Sequence, residues 1–209
     1  MAGYLPQFDD CWHYATAPLA RAQVAQESSF NPYAIGVVHG VLDRQPRNKQ
    51  EAVATARNLK AKGFNFSLGC RQVNQANLGK YGLTLETAFD PEKNAQAGNA
   101  IYDECNNRAV AHMGNGFDAT KATLSCYYSG NFTRGQQKES NQPSYVDKVL
   151  AHLTPDELKA LGQPVASGAK TARKASPKGA PAGGQSDEVS KPAGNVGSPA
   201  ATWDVFNEF

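Results

Sequence analysis

Apolar residues recur at helical spacing through the first 162 residues of this chain and become scarce beyond them. The first stripe runs through Ala17, Ala20 and Val24 and continues onto an acidic residue, Glu27, in a helix that Thr16 and Pro18 are expected to open. A second helix is signalled by Asn48 as N-cap with Glu51 three positions on, an apolar face of Ala52, Val53, Ala56 and Leu59, and Gly63 as its stop. Phe64, Phe66 and Leu68 then alternate with polar residues. That period of two predicts a short extended run, delivering residues 69–72 as a loop or strand beside a cleft.

Asp90 followed by Pro91 reads as an N-cap with proline at the first helical position, and Ala97, Ile101 and Cys105 share a face of the helix that follows. This is expected to be the central buried helix. Asp118 is positioned to cap another, which ends near Gly130 and leaves Tyr127 and Tyr128 at its C-terminal edge. Residues 143–153 are amphipathic through Val146, Val149, Leu150 and Leu153, and Thr154-Pro155-Asp156-Glu157 forms a capping box for a last short helix that stops at Gly162. The pattern predicts a mainly α (α+β) domain over residues 1–162, with its short extended segment near a cleft.

Residues 163–202 are rich in Ala, Gly, Pro, Ser and Lys, a composition that buries too little surface to offset ordering entropy, so a flexible, disordered linker is expected. At 203–209, Trp203, Phe206 and Phe209 stand three apart and would form one apolar edge if the segment became helical on a partner. A disordered end with incidental aromatics fits equally well.

Charge narrows the field of partners. Lys and Arg number 21 against 19 Asp and Glu, which leaves no electrostatic footprint for nucleic acid or an anionic membrane. No apolar run approaches the roughly 20 residues of a spanning helix, so no membrane insertion is expected. His13, His39, His112 and His152 lack metal-ligand spacing, and HExxH, GxSxG and Gly-rich phosphate loops are absent. Neither a metal nor a cofactor is called for.

Glu27 is the candidate for chemistry. A carboxyl on an apolar stripe is desolvated, and desolvation raises its pKa, which keeps it a proton donor near neutral pH. The bland alternative is a solvent-facing helical glutamate, the commonest fate of that residue type. Two companion segments tip the balance. Glu27-Ser28-Ser29-Phe30-Asn31-Pro32 resembles the catalytic motif of lytic transglycosylases, relatives of goose-type lysozyme that cut peptidoglycan glycan strands. Residues 69–74, GCRQVN, resemble that family's Gly-Leu-Met-Gln-Ile-Asn loop, and residues 127–131, YYSGN, its Tyr-Asn-x-Gly segment. FNPYAIGV, NFSLGCRQVN, AFDPEKNAQAG and LSCYYSGN together resemble the VirB-type branch, which serves type IV secretion and conjugation machines. The resemblance covers about the first three quarters of the chain.

The resemblance implies a lysozyme-like domain that cleaves the β-1,4 bond between N-acetylmuramic acid and N-acetylglucosamine. Glu27 would act as acid and then as base, the substrate's N-acetyl group would assist departure, and the muramoyl 6-hydroxyl would close a 1,6-anhydro end. No second acid falls inside a family motif, in keeping with a reaction that consumes no water. Ser28 would hold the N-acetyl group, Gln72 would bind a sugar hydroxyl or acetamido group, and Tyr127 would place its hydroxyl near Glu27 or the N-acetyl group. Tyr128 replaces the usual Asn and is carried over as a cleft-lining ring. Arg71 stands where many relatives have Met, departing from an apolar wall against the sugar. Helix capping for Ser28, a loop-holding amide for Gln72 and a core tyrosine for Tyr127 are the bland readings.

A peptidoglycan enzyme works in the periplasm, so a signal peptide is expected to have been removed and Met1 to be an addition; export by another route is the alternative. Cys11, Cys70, Cys105 and Cys126 form no CxxC pair, which argues against zinc, and in an exported domain they suggest disulfides with three possible pairings. Cys105 with Cys126, on consecutive predicted helices, is the preferred pair, against four buried thiols. Secretion-system components would be reached through the tail. A phage-borne or lysozyme-type muramidase, and a non-catalytic peptidoglycan-binding scaffold with a degenerate cleft, are the competing functions.

Overall fold

The computed structural model describes residues 7–138 and 142–162. The expectations for residues 163–202 and for Trp203, Phe206 and Phe209 lie outside them. In chain order the elements are α1 (Gln7–His13), α2 (Pro18–Ser28), β1 (Ile35–Val37), α3 (Lys49–Ala61), β2 (Phe66–Leu68), β3 (Val73–Asn74), α4 (Pro91–Met113), α5 (Phe117–Ser129), α6 (Tyr145–Leu150) and α7 (Pro155–Ala160). The fold is mainly helical with one small sheet, the α+β arrangement of a lysozyme-like domain. Among the described residues no helix is long and apolar enough to cross a membrane.

Local caps set most boundaries. The Asn48 side chain accepts from the Glu51 amide at 2.9 Å, the Asp90 side chain accepts from the Lys93 amide, and Thr154 and Glu157 complete a reciprocal capping box. Two expected caps are not used. Ala17, not Thr16, is the N-cap of α2; its extended backbone takes it out of the helical register, so it is exposed and the buried face centres on Ala22, Gln23 and Val24. Gly116, not Asp118, precedes α5; Asp118 sits in the first turn, where it pairs with Lys121 and suits the positive end of the helix dipole. Ser144 caps α6 through the Asp147 amide, so the helix is shorter than the amphipathic run that announced it.

The sheet is antiparallel in the order β1-β2-β3, with Ile35 opposite Leu68 and Leu68 opposite Val73. The expected alternation fails in β2. Phe66, Ser67 and Leu68 are all buried and Phe64 is exposed, because the middle strand of a small sheet is covered on both faces. Gln45 closes the edge of β1: its amide carbonyl accepts from the Ile35 N–H at 2.8 Å and its Nε2 donates back to the Ile35 carbonyl at 3.0 Å.

Two apolar clusters divide the molecule. One packs the sheet, α3 and the start of α4 through Ile35, Leu59, Phe66, Leu68, Phe89 and Ala97. The other joins α2, α5 and α6 through Ala22, Leu124, Val146 and Val149, with Leu158 of α7 against it. The long helix α4 reaches both clusters, through Ala97 and Tyr102, and is buried along one face only, so it is a spine rather than a helix enclosed on all sides. Cys105–Cys126 ties α4 to α5, and Cys11–Cys70 ties α1 to the segment after β2. The second bridge joins residues 59 apart in sequence, a separation that spacing does not reveal.

Candidate active site

The cleft is built where three chain reversals meet. Helix α2 ends abruptly after Glu27 and Ser28 because Ser29 and Phe30 both take left-handed backbone angles, φ 50° and 63°. Non-glycine residues rarely adopt that region, and such strain collects at functional sites. The Ser28 hydroxyl donates to the Cys70 carbonyl at 2.9 Å and also approaches the Val24 carbonyl at 3.2 Å. It therefore staples the end of α2 to the second reversal, residues 69–72.

That turn is specified by close packing. A Cβ at Gly69 would lie 2.4 Å from the Ala88 carbonyl oxygen, and the glycine has φ 77°, so a side chain is excluded on both counts. The fully buried Asn94 of α4 saturates the surrounding backbone: Nδ2 donates to the Leu68 and Ala88 carbonyls, each at 2.9 Å, and Oδ1 accepts from the Arg71 amide at 2.7 Å. Gln72, itself at φ 46°, is held by its Nε2, which donates to the Ala34 carbonyl at 3.1 Å and the Gly69 carbonyl at 2.9 Å.

The third wall comes from α5 and α6. Gly130, in the left-handed conformation, ends α5 just after Tyr127 and Tyr128. The Tyr127 hydroxyl donates to the Arg71 carbonyl at 2.7 Å, and the Tyr128 ring stacks on Tyr145 with centroids 4.6 Å apart. Tyr145 in turn donates its hydroxyl to Glu27 Oε1 at 2.5 Å.

Glu27, Gln72, Tyr127 and Tyr128 thus line one cleft, together with Asn74, Lys80, Tyr81, Glu104 and Arg108. Ser28 is not among the lining residues; its proton is engaged with the protein backbone, while its oxygen lone pairs keep acceptor capacity. Arg71 is not there either. Its side chain is buried beneath the turn, so the expectation that it would replace an apolar wall against a sugar does not describe its place. Sequence reading missed Tyr145, Asn94 and Glu104. Tyr145 directly follows the capping Ser144, and Asn94 interrupts an otherwise small and apolar helix face, which were the available signals.

Burial pushes the Glu27 carboxyl up to about 7, against the opposing effects of the Tyr145 hydrogen bond and the charge of Arg71. The phenols of Tyr127 and Tyr145 are also pushed up by burial, so both remain protonated donors near neutral pH. Glu104 behaves oppositely: the Lys80 ammonium at 2.7 Å holds it below the usual carboxylate range, and Tyr81 donates to it at 3.1 Å. The cleft therefore holds one carboxyl poised between its two forms and one that stays ionised. Among the described residues no group of three His, Cys, Asp or Glu is arranged to hold a metal ion.

A desolvated glutamate at a strained helix end, a glycine-anchored turn and a tyrosine pair thus surround one groove of a lysozyme-like fold. Residues 12–148 match the transglycosylase SLT domain, and the chain belongs to that family, in its VirB-type branch. It is 48% identical over 166 aligned positions to the type IV secretion system protein virB1 of Brucella abortus, with the same figure for Brucella melitensis and Brucella suis. The alignment covers 71% of this chain and 70% of each relative. No solved structure matches the chain.

Proposed function

We propose that the protein is a periplasmic lytic transglycosylase that cleaves the bond between N-acetylmuramic acid and N-acetylglucosamine and leaves a 1,6-anhydromuramoyl end. The observation that carries this reading is Glu27, a cleft-facing carboxyl with its pKa raised to about 7 by burial and a tyrosine hydroxyl bonded to it. A general acid is most effective when its pKa lies near the working pH, and the same condition lets it serve afterwards as base.

In the first half-reaction Glu27 gives its proton to the glycosidic oxygen while the N-acetyl carbonyl oxygen attacks the anomeric carbon and the glycosidic bond breaks. In the second, the Glu27 carboxylate takes the proton of the 6-hydroxyl as that oxygen displaces the N-acetyl oxygen. Glu27 is protonated again at the end and no water is consumed. Tyr145 donates to the carboxylate formed between the two steps. Gln72, Tyr127 and Tyr128 line the sugar site, and Ser28, whose proton is engaged with the Cys70 carbonyl, would use its remaining acceptor capacity for the N-acetyl N–H.

The relatives named as type IV secretion system proteins support a role in opening the wall for such an apparatus. Residues 1–162 would be the catalytic unit, 163–202 a linker and 203–209 a contact for other components. Digestion of purified sacculi followed by mass spectrometry of the released muropeptides tests the chemistry: anhydro-ended fragments are expected, and reducing-end muramic acid as the main product would overturn it.

Glu104 favours a second reading. An ionised carboxylate in the same cleft as the acid is the arrangement a hydrolase needs. A lysozyme-type enzyme would lose most activity on Glu104→Gln and would take up oxygen from labelled water. Binding of glycan without cleavage at any pH would instead support a scaffold.

A further inference from the structure

We propose that Arg71 is a positioning residue for the reaction, a buried cation fixed behind Glu27 that favours the carboxylate once the acid has given up its proton. This rests on the reading of Glu27 as acid and then base, and it assigns to this chain's own arginine a task unrelated to contact with sugar.

A guanidinium is an expensive group to bury, and this one is only 2% exposed. Among the described residues no carboxylate forms an ion pair with it. It is nonetheless clamped from several sides. Its Nη2 donates to Gln23 Oε1 at 3.0 Å, its plane sits 5.3 Å from the centroid of the Tyr127 ring, and its backbone is fixed by Asn94 and Tyr127. A Cβ at Gly98 would come within 2.6 Å of the Arg71 side chain, so α4 leaves out a side chain where the arginine runs. Gln23, the partner, lies one helical turn before Glu27 on the same helix.

The field of this charge falls on the groups around the acid. It lowers the pKa of Glu27, Tyr102 and Tyr127, working against burial in each. Contact explains why distance matters here. An arginine paired directly with Glu27 would keep it ionised and remove the acid, whereas no cation at all would leave the carboxylate supported only by the Tyr145 hydroxyl. A charge held nearby without contact lets both forms exist. The other titratable groups facing Glu27 are Tyr145 from α6 and Tyr127 and Tyr128 from α5, with Glu104 and Arg108 of α4, Lys80 and Tyr81 along the same cleft.

The test is a carboxyl 13C NMR titration of Glu27 in the full chain, with the pH profile of sacculus digestion beside it. In Arg71→Met the Glu27 midpoint should rise by about one pH unit, the low end of what a neighbouring charge does to a carboxyl. The alkaline limb of the rate profile should move up with it, because the acid stays protonated to higher pH. Arg71→Lys, which keeps the charge, should stay closer to the unmutated midpoint. Arg71→Gln keeps polarity without charge and carries the test if the Met variant does not fold. A folded, uncharged variant whose Glu27 titrates at the original midpoint overturns the proposal, even if its activity is lost. The titration needs no substrate, so its outcome stands apart from whether the enzyme cleaves peptidoglycan.

Discussion

Glu27 and Glu104 carry the same functional group into the same cleft, yet the two walls treat it in opposite ways. Glu27 ends α2 with its carboxyl against Tyr145 and packed protein, and burial raises its pKa to about 7. Glu104 lies on the exposed side of α4, where Lys80 and Tyr81 satisfy it and hold its pKa down. The difference is one of solvation and partner. A carboxylate given a nearby ammonium and water stays ionised, whereas one given a hydroxyl and little water keeps its proton. The role of each glutamate therefore follows from the wall it stands on.

The largest effect should come from Glu27→Gln, which preserves shape but cannot give up a proton. Cleavage of sacculi, followed by muropeptide release, should fall by about a thousandfold, within the range that general acid–base catalysis contributes. Near-normal turnover would end the claim that the two walls differ in function.

The same variant should change stability in a pH-dependent way. Glu27 has a folded pKa raised above its unfolded value near 4.5, so its neutral form favours the fold at low pH and that contribution is lost as pH rises through about 7. Removing the titration should stabilise the protein by about 1 to 3 kcal/mol at pH 8, with little effect at pH 4. Denaturant midpoints at the two pH values measure this. Equal shifts at both would mean that Glu27 titrates alike in the folded and unfolded chain, as a fully solvated carboxyl does.

Tyr145→Phe sharpens the comparison from the other direction. With the hydroxyl gone, burial acts on Glu27 less opposed, so the alkaline limb of the rate profile should move up by about one pH unit. Turnover at neutral pH should fall by about tenfold, since the intermediate carboxylate loses a donor. The smallest effect belongs to Glu104→Gln. An exposed pair contributes little, and both stability and cleavage should stay within about threefold of the original equilibrium and rate. A loss comparable with that of Glu27→Gln would make Glu104 a second catalytic carboxylate and the enzyme a hydrolase.

What the sequence made readable was local. Asn48, Asp90 and Thr154 announced their helices because a cap is decided within four residues. Glu27, Gln72, Tyr127 and Tyr128 stood out because each lies in a short segment with family resemblance, and all four line the cleft. The partners that set their chemistry come from farther away. Tyr145 reaches Glu27 across 118 positions, and Asn94 reaches the turn from the first part of α4. Their effect depends on how α4 and α6 pack, which no local pattern encodes. Arg71 shows the same limit: its position in the loop was clear, but its direction was settled by the space above Gly98.

A carboxyl 13C NMR titration of the unmutated full chain, with Glu27 and Glu104 assigned in one experiment, tests the central claim directly. The account predicts that Glu27 titrates near pH 7 while Glu104 titrates below the ordinary carboxylate value of 4.5. Coincident titration of both near that ordinary value would contradict it.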